Sequence, residues 1–280
     1  MKIKKNLLIV IRDFLIIYYS IDYFMDLGPN NEKIIMGLDV STKTVGITVA
    51  KVTDLDKISI IHVTHLRPKI PNKVKGTEAL FMKSSIMADE LRKYKTYNIT
   101  DVVIEEPLIG SNNSETAAIL LRYNGMISQS VYDILGVVPE FISSYDARKY
   151  GFPQLMAVRK FNKKGNTYDV KKIRKAIQKN ELVLFGEYPF DCEKKHILFN
   201  LVSDIFPGIK WQYDKNGELK NENFDASDSL VCVLGYVNKL LHADEQPVIV
   251  SWDEKEDENG HHFIYNTEFC GNTFAKTIEL

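Results

Sequence analysis

The sequence predicts an α/β fold: one mixed five-stranded sheet, three antiparallel strands followed by parallel ones, flanked by helices. Three observations carry this. Three strand-like apolar runs follow one another between residues 33 and 66, separated only by turn residues, which is the pattern of an antiparallel meander. A helical stretch then leads to the short continuous apolar run Val102–Ile104, and a strand that returns after a helix is expected to run parallel to the one it left. Beyond it, amphipathic helices alternate with one more strand, the alternation of an α/β domain.

Taken in order, residues 33–40 read as a buried strand. Thr44–Val52 is the second, with Gly46 on its turn side and Ile47 and Val49 alternating, and Lys57–Leu66 is the third. Residues 76–95 carry Leu80, Phe81, Ile86, Met87 and Leu91 at roughly helical spacing. Val102–Glu105 is the fourth strand. Residues 114–135 form a strong amphipathic helix, capped by Ser114 or Thr116 and ended by Gly136. Val137–Ile142 is the fifth strand, with a short helix from Ala147 after it. Residues 153–193 lack core periodicity. Residues 194–206 are helical and stopped by Pro207 and Gly208, Asp214–Gly217 is a turn, and 225–241 is the last core helix. The tail carries Asp253-Glu254 and Glu256-Asp257-Glu258 ahead of a strand around Phe263–Tyr265. This is the element order of an RNase H-like core with the first strand central. The chain therefore divides into an N-terminal extension (1–32), an RNase H-like domain (33–242) with a basic insertion (153–193), and a C-terminal extension (243–280).

With 280 residues, 45% hydrophobic and 26% charged, the composition is that of an ordered globular protein. A formal net charge of -1 excludes a globally basic nucleic-acid binder, so any such contact must use a local patch. The three cysteines, Cys192, Cys232 and Cys270, form no CxxC pair, which supports neither a zinc site nor a disulfide framework. A reducing, cytoplasmic setting, or the compartment that holds the DNA, is expected. Lys2, Lys4 and Lys5 precede an apolar stretch from Leu7 to Met25, but Arg12, Asp13 and Asp22 interrupt it. Charges inside a span are costly, so we read 1–32 as a peripheral extension and expect no membrane partner.

The first and fourth strands each deliver a carboxylate: Asp39 in Gly37-Leu38-Asp39-Val40-Ser41-Thr42 and Glu105 in Val102-Val103-Ile104-Glu105-Glu106. Asp225 and Asp228 open the last core helix. At i and i+3 these two share one helix face, and in a first turn the helix dipole favours them. A plain N-cap is the structural alternative for Asp225. Glu106 points to the opposite face from Glu105 and reads as a solvated residue. Acids carried on apolar strands make little sense as packing. Converging, they make an oxygen cage for hard divalent cations, as in phosphodiester cleavage with two metals about 3.5–4 Å apart. Ser41, Thr42 and Lys43 either line a phosphate path or form a turn. His196 reads as a packing or surface residue rather than a proton relay.

These residues carry a resemblance. Asp39 to Gly46, an apolar strand with an Asp and a Gly seven positions later, is similar to the first motif of the RuvC-like Holliday-junction resolvases. Ile104-Glu105 resembles the second, and Asp225-Ala226-Ser227-Asp228-Ser229-Leu230 resembles the motif that starts the last core helix. Lys194-Lys195 and the apolar helix up to Phe206-Pro207 resemble the segment before it. The resemblance spans residues 33 to 241. It implies a dimeric endonuclease that nicks two strands of a four-way DNA junction, with Asp39, Glu105, Asp225 and Asp228 as catalytic acids. They would hold two Mg²⁺ per active site, with Mn²⁺ as a substitute. By analogy the homodimer forms through the 114–135 helix. The chain departs from the compact bacterial members in its long Glu105-to-Asp225 gap, in Leu108 where they often carry an aromatic, and in its tails, which suggests a divergent phage, viral or organellar type.

A basic stretch supports nucleic-acid contact. Arg159, Lys160, Lys163, Lys164, Lys171, Lys172, Arg174, Lys175 and Lys179 have Asp169 as the only acid among them, with Phe161 and Tyr168 interleaved. Arg148, Lys149, Lys194 and Lys195 are further candidates, and the alternative is a solvated helix face. Three other functions compete with junction resolution. The same acids suit a general RNase H-like nuclease on flaps, branched DNA or RNA/DNA hybrids. The Gly37–Thr42 turn also resembles a phosphate loop of an actin-like ATPase or sugar kinase, but no second glycine-rich loop or adenosine motif follows. A non-catalytic DNA-binding scaffold leaves the four acids without purpose.

Overall fold

The computed structural model describes residues 32–53, 57–107, 114–153, 161–162, 167–168, 194–242, 245, 247–257 and 260–269. Five strands form the central sheet in the order β3-β2-β1-β4-β5: β1 (Glu32–Val40), β2 (Val45–Thr53), β3 (Lys57–Leu66), β4 (Asp101–Glu105) and β5 (Glu140–Ile142). The first three are an antiparallel meander, with Leu38 opposite Ile47 and Ile47 opposite Thr64. β4 then joins β1 in parallel, Leu38 beside Ile104, and β5 joins β4 in parallel, Glu105 beside Ile142. This mixed sheet, β1 at its centre and helices on both faces, is the RNase H-like arrangement the element order predicts. The fifth strand is shorter than the expected 137–142: it begins only at Glu140, just after Pro139, whose ring nitrogen cannot donate to a ladder.

Strand alternation sorts the core into two layers. Met36, Leu38, Val45, Ile47, Val49, Val102 and Ile104 pack on one face with α1 (Gly76–Arg92) and α2 (Ser114–Leu135), through Leu80, Met87, Leu91, Tyr123, Ile127 and Val131. Gly136, at φ +75°, ends α2 as a left-handed residue. The other face carries Ile35, Ala50, Val52 and Val103. Across it lies α5 (Glu222–Leu241), flanked by α3 (Ser144–Gly151) and α4 (Lys194–Ile205).

α5 is buried almost all round, from Asn223 to Val237, which asks for close backbone approach on two sides. Gly37 provides one: a Cβ there would meet Val233 Cγ2 at 2.6 Å. Gly235 provides the other, against Ala147 Cα of α3 at 2.5 Å from the Cβ position. Polar ties add direction. Thr48 Oγ1 on β2 lies 2.8 Å from Ser229 Oγ, whose own hydrogen goes to Ala226 O at 2.7 Å, so Thr48 donates. Asn238 Nδ2 donates to Tyr150 O, and Lys239 pairs with Asp146 at 2.7 Å.

Two helix starts differ from expectation. α3 begins at Ser144, not Ala147, because Ser143 Oγ accepts from the amide of Asp146 and caps it. α5 begins at Glu222, so Asp225 is not its N-cap and Asp228 lies beyond the first turn. The cause is non-local: buried Asn223 donates to Gln212 O at 2.6 Å and accepts from Gln212 N at 3.0 Å, fixing the helix start against the preceding loop. The turn at Asp214–Gly217 is as expected, Asp214 Oδ1 accepting from Asn216 N and Glu218 N. Within the expected insertion, Phe161–Asn162 (β6) and Thr167–Tyr168 (β7) pair antiparallel. Asp253, Glu254, Glu256 and Asp257 of the acidic run lie on β8 (Pro247–Asp257), which pairs with β9 (Gly260–Phe269). Residues 1–31, including the apolar Leu7–Met25 stretch and the turn at 27–31, lie outside the described residues, as does Leu108. Among the described residues no helix is long and apolar enough to cross a membrane.

Candidate active site

The α5 face of the sheet is where the acids meet. On β1, Ile35, Gly37 and Asp39 alternate toward that face, and on β4 Val103 and Glu105 do the same. The register pairs Leu38 with Ile104, so Asp39 and Glu105 are the next residues of two adjacent parallel strands. α5 brings Asp225 and Asp228 over the same strand ends. Gly46, opposite Asp39 on β2, makes that possible: a Cβ there would overlap the carbonyl of Asp225.

The electrostatics record how closely the four gather. Asp39 is pushed well above the usual carboxylate range by burial, then by the charges of Glu105, Asp228 and Asp225, with Lys195 opposing. Burial and then Asp228 push Glu105 up to about 7, against Arg148 and Lys195. Asp228 is pushed up to about 6 by burial, and Arg148 and Lys195 again oppose. Asp225 is raised by burial and eased by Lys195, by a hydrogen bond from Thr44 and by His65. Its Oδ1 lies 4.0 Å from Lys195 Nζ. All four acids keep partial exposure, so the cluster opens to solvent.

Among the described residues no three His, Cys, Asp or Glu side chains already stand at metal-holding geometry. The donor chemistry nonetheless fits one class of ion. Four carboxylates crowd together, offset chiefly by Arg148 and Lys195, and oxygen donors of that kind suit Mg²⁺ or Mn²⁺. The one soft donor nearby, Cys232, is fully buried with its Sγ 4.0 Å from Glu105 Oε2. Burial, and then the charges of Glu105, Asp39 and Asp228, push its thiol up, which keeps it protonated.

The other expected site residues separate. Glu106 is exposed, its amide donating to Ile142 O at 2.8 Å. Ser41 makes a turn: its Oγ donates to Thr44 O and accepts from the amides of Lys43 and Thr44. Lys83 of α1 ties the same turn down by donating to Thr42 O. Arg148 is half-buried, and its charge eases the ionisation of Glu105 and Asp228. Lys149 is buried, its ammonium 4.9 Å from the centroid of the Tyr150 ring. Lys195 and His196 are exposed on α4, and the His196 ring lies 4.8 Å from Phe224. α4 begins at Lys194, whose side chain is outside the description, as are Arg159, Lys160, Lys163, Lys164, Lys171, Lys172, Arg174, Lys175 and Lys179. Thr44, His65, Arg67 and Cys232 are neighbours of the acids that no local pattern marks.

No family model matches the sequence, and no curated protein does. The chain is similar in fold to Thermus thermophilus RuvC, solved with a Holliday-junction substrate, at 10% identity and a TM-score of 0.46, over 74% of this chain and 94% of that one. It is similar to the yeast mitochondrial Holliday junction resolvase Ydc2 at 14% identity and a TM-score of 0.41, over 75% and 79%. It is also similar to the Aquifex aeolicus member of the Ppx/GppA family at 12% identity and a TM-score of 0.32, over 75% and 90%. The fold is RNase H-like, and junction resolvases are among the structures it is similar to.

Proposed function

We propose that this protein is a metal-dependent, structure-specific endonuclease that resolves four-way DNA junctions by paired nicks. The observation that carries the reading is the convergence of Asp39, Glu105, Asp225 and Asp228 on one end of the sheet. Two adjacent parallel strands and one helix deliver four acids to one partly exposed place, and each is raised above its ordinary range. Such a cluster costs stability and has no packing benefit, which is the signature of a functional site.

Asp39, Glu105, Asp225 and Asp228 would hold the Mg²⁺ ions. When bound, the cations supply a water-derived nucleophile at neutral pH and stabilise the leaving oxygen. The chain's own groups hold the acids ready. Arg148 favours the ionised forms of Glu105 and Asp228, and Lys195 favours those of all four. Thr44 donates to Asp225. The turn at 41–44 is locked by Ser41 and Lys83, which keeps the end of β1 in place. No side-chain nucleophile is required.

A resolvase works on a symmetric branched substrate, which makes a homodimer the expected form. The extensions 1–32 and 243–280 and the insertion 153–193 are proposed as additions to the nuclease core, the insertion serving backbone binding. The test is cleavage of end-labelled four-way, flap and RNA/DNA hybrid substrates with and without Mg²⁺. Symmetric nicks in the junction alone support resolution. Cleavage spread over flaps and hybrids moves the assignment to a general RNase H-like nuclease, and no metal-dependent cleavage of any of them overturns it.

A further inference from the structure

We propose that the cleft beside the four acids binds the backbone of one nucleic-acid strand next to the bond that is cut. Lys43, Arg67 and Lys195 would hold its phosphates, and His196 would offer a ring to the sugar or base. This rests on the nuclease reading above and deepens it.

The cleft has a volume of about 730 Å³ and lies between the 41–44 turn, the segment just after β3, and the starts of α4 and α5. Asp225 belongs both to its wall and to the acid cluster, so the two are continuous. Three cations line it from three different elements. Lys43 is exposed, and Arg67 and Lys195 have side chains 65% and 60% exposed. Glu222 is the one other acid in the wall, and Arg67 Nη1 holds it at 2.8 Å. Lys43, Arg67 and Lys195 against Glu222 and Asp225 leaves the wall with one net positive charge on a chain whose total is -1.

The chemistry suits a phosphodiester chain better than a small molecule. The cleft is open rather than enclosed, and its cations come from three separate segments of the chain. A guanidinium matches phosphate oxygens in a fork. Arg67 is held by a carboxylate in the free protein, so an arriving phosphate would take over that partner's place. His196 stacks against Phe224 with its ring tilted 51° and remains exposed, and an aromatic surface beside a cationic groove is how strands are held without sequence preference. Glu222 then acts against binding, which a merely structural ion pair would not do.

The test uses the full chain carrying Asp39→Asn, a fluorescein-labelled four-way junction and a labelled single strand, in Ca²⁺ across a salt series. Lys43→Ala and Arg67→Ala should each weaken binding several-fold and lower the slope of log K against log salt by about 0.7–0.9. Arg67→Lys should recover part of the loss, and Glu222→Gln should tighten binding several-fold. Unchanged affinity and slope in both alanine variants overturns the proposal, and so does Glu222→Gln weakening binding as much as Arg67→Ala. Arg67→Lys and Glu222→Gln carry the test if an alanine variant fails to fold. With Asp39 restored, normal nicking and an unchanged KM in Lys43→Ala and Arg67→Ala sink the cleft site alone. Binding that falls in those variants of a protein that cuts nothing sinks the nuclease reading alone.

Discussion

Gly46 of β2 lies directly beneath the carbonyl of Asp225 on α5, with no room for a Cβ between them. The glycine seven residues after Asp39 is therefore a contact point between the sheet and the acid-bearing helix. Gly46→Ala must push the start of α5 away or bend β2, because the obstacle is backbone. We expect a loss of about 1–3 kcal/mol, as for overpacking generally, together with a weaker thermal response to Mg²⁺. Gly125, inside α2 with open space around it, is the control: Gly125→Ala should add roughly 0.5–1 kcal/mol by relieving backbone entropy. Urea unfolding of both variants checks the pair, and an unperturbed Gly46→Ala counts against the packing described.

Asp39→Asn and Asp228→Asn each remove an acid from the cluster while keeping its shape. Each should reduce Mg²⁺-dependent nicking by more than the roughly 10–100-fold that loss of an outer-shell partner costs a metal site. Junction binding in Ca²⁺ should stay within a few-fold of the parent. Nicking at the parent rate in either variant removes the acids from the reaction.

Tyr236 and Lys33 meet on one buried carboxylate far from the acid cluster. Asp101 Oδ1 accepts from Tyr236 Oη at 3.2 Å and from Lys33 Nζ at 3.2 Å, and its Oδ2 accepts from Thr100 Oγ1 at 2.7 Å. This ties α5 to the opposite end of β1 and β4. Tyr236→Phe keeps the ring and loses a hydrogen bond to a charged group, so it should cost about 1.5–3 kcal/mol. Nicking kinetics at 25 °C should be unchanged. Thermal unfolding paired with an activity assay separates this stabilising cluster from the catalytic one.

Asp39 and Glu105 were legible because period-two alternation and an apolar run place a strand's acid on a definite face, and a helix between the two runs makes the strands parallel. Asp225 and Asp228 were legible from helical spacing. The start of α5 was not, because Asn223 and Gln212 set it from outside the helix. Adjacency in sequence says nothing about side: Arg148 is near enough to Glu105 to ease its ionisation, and Lys149 is buried over Tyr150. Arg67, Thr44 and Cys232 carry no local signal at all, since each matters only for what the fold sets beside it. The reason for Gly46 was likewise hidden, although its spacing from Asp39 was plain.

The raised acids predict an inverted pH dependence of stability in metal-free protein. Glu105 goes from an ordinary 4.5 to about 7, and Asp228 from 3.8 to about 6. Because the folded state holds these protons more tightly than the unfolded chain, their contribution is fully present below about pH 4 and is lost as pH rises through 6 and 7. Glu105→Gln removes the penalty at high pH. It should raise stability at pH 8 by on the order of 2–3 kcal/mol and leave it nearly unchanged at pH 4. Melting in EDTA at the two pH values checks it, and equal shifts at both would mean that Glu105 is not crowded by its neighbours.

Mg²⁺ must compete with those same protons, which sets the direction of a last expectation. Below pH 6 Glu105 and Asp228 are largely protonated and poor oxygen donors. Above pH 7 both are ionised and repel each other and Asp39. Apparent Mg²⁺ affinity should therefore rise steeply between pH 6 and 8, with proton release on binding. At a free concentration a hundred times the dissociation constant, the ion should add about 2.7 kcal/mol to stability, which offsets part of the high-pH penalty. Glu105→Gln, already relieved of its share of that penalty and short of one oxygen donor, should respond less. A calorimetric titration in buffers of different ionisation enthalpy measures the protons released. Binding that is pH-independent across this range, or absent in the wild-type chain at millimolar Mg²⁺, leaves the four acids without the cation that their repulsion calls for.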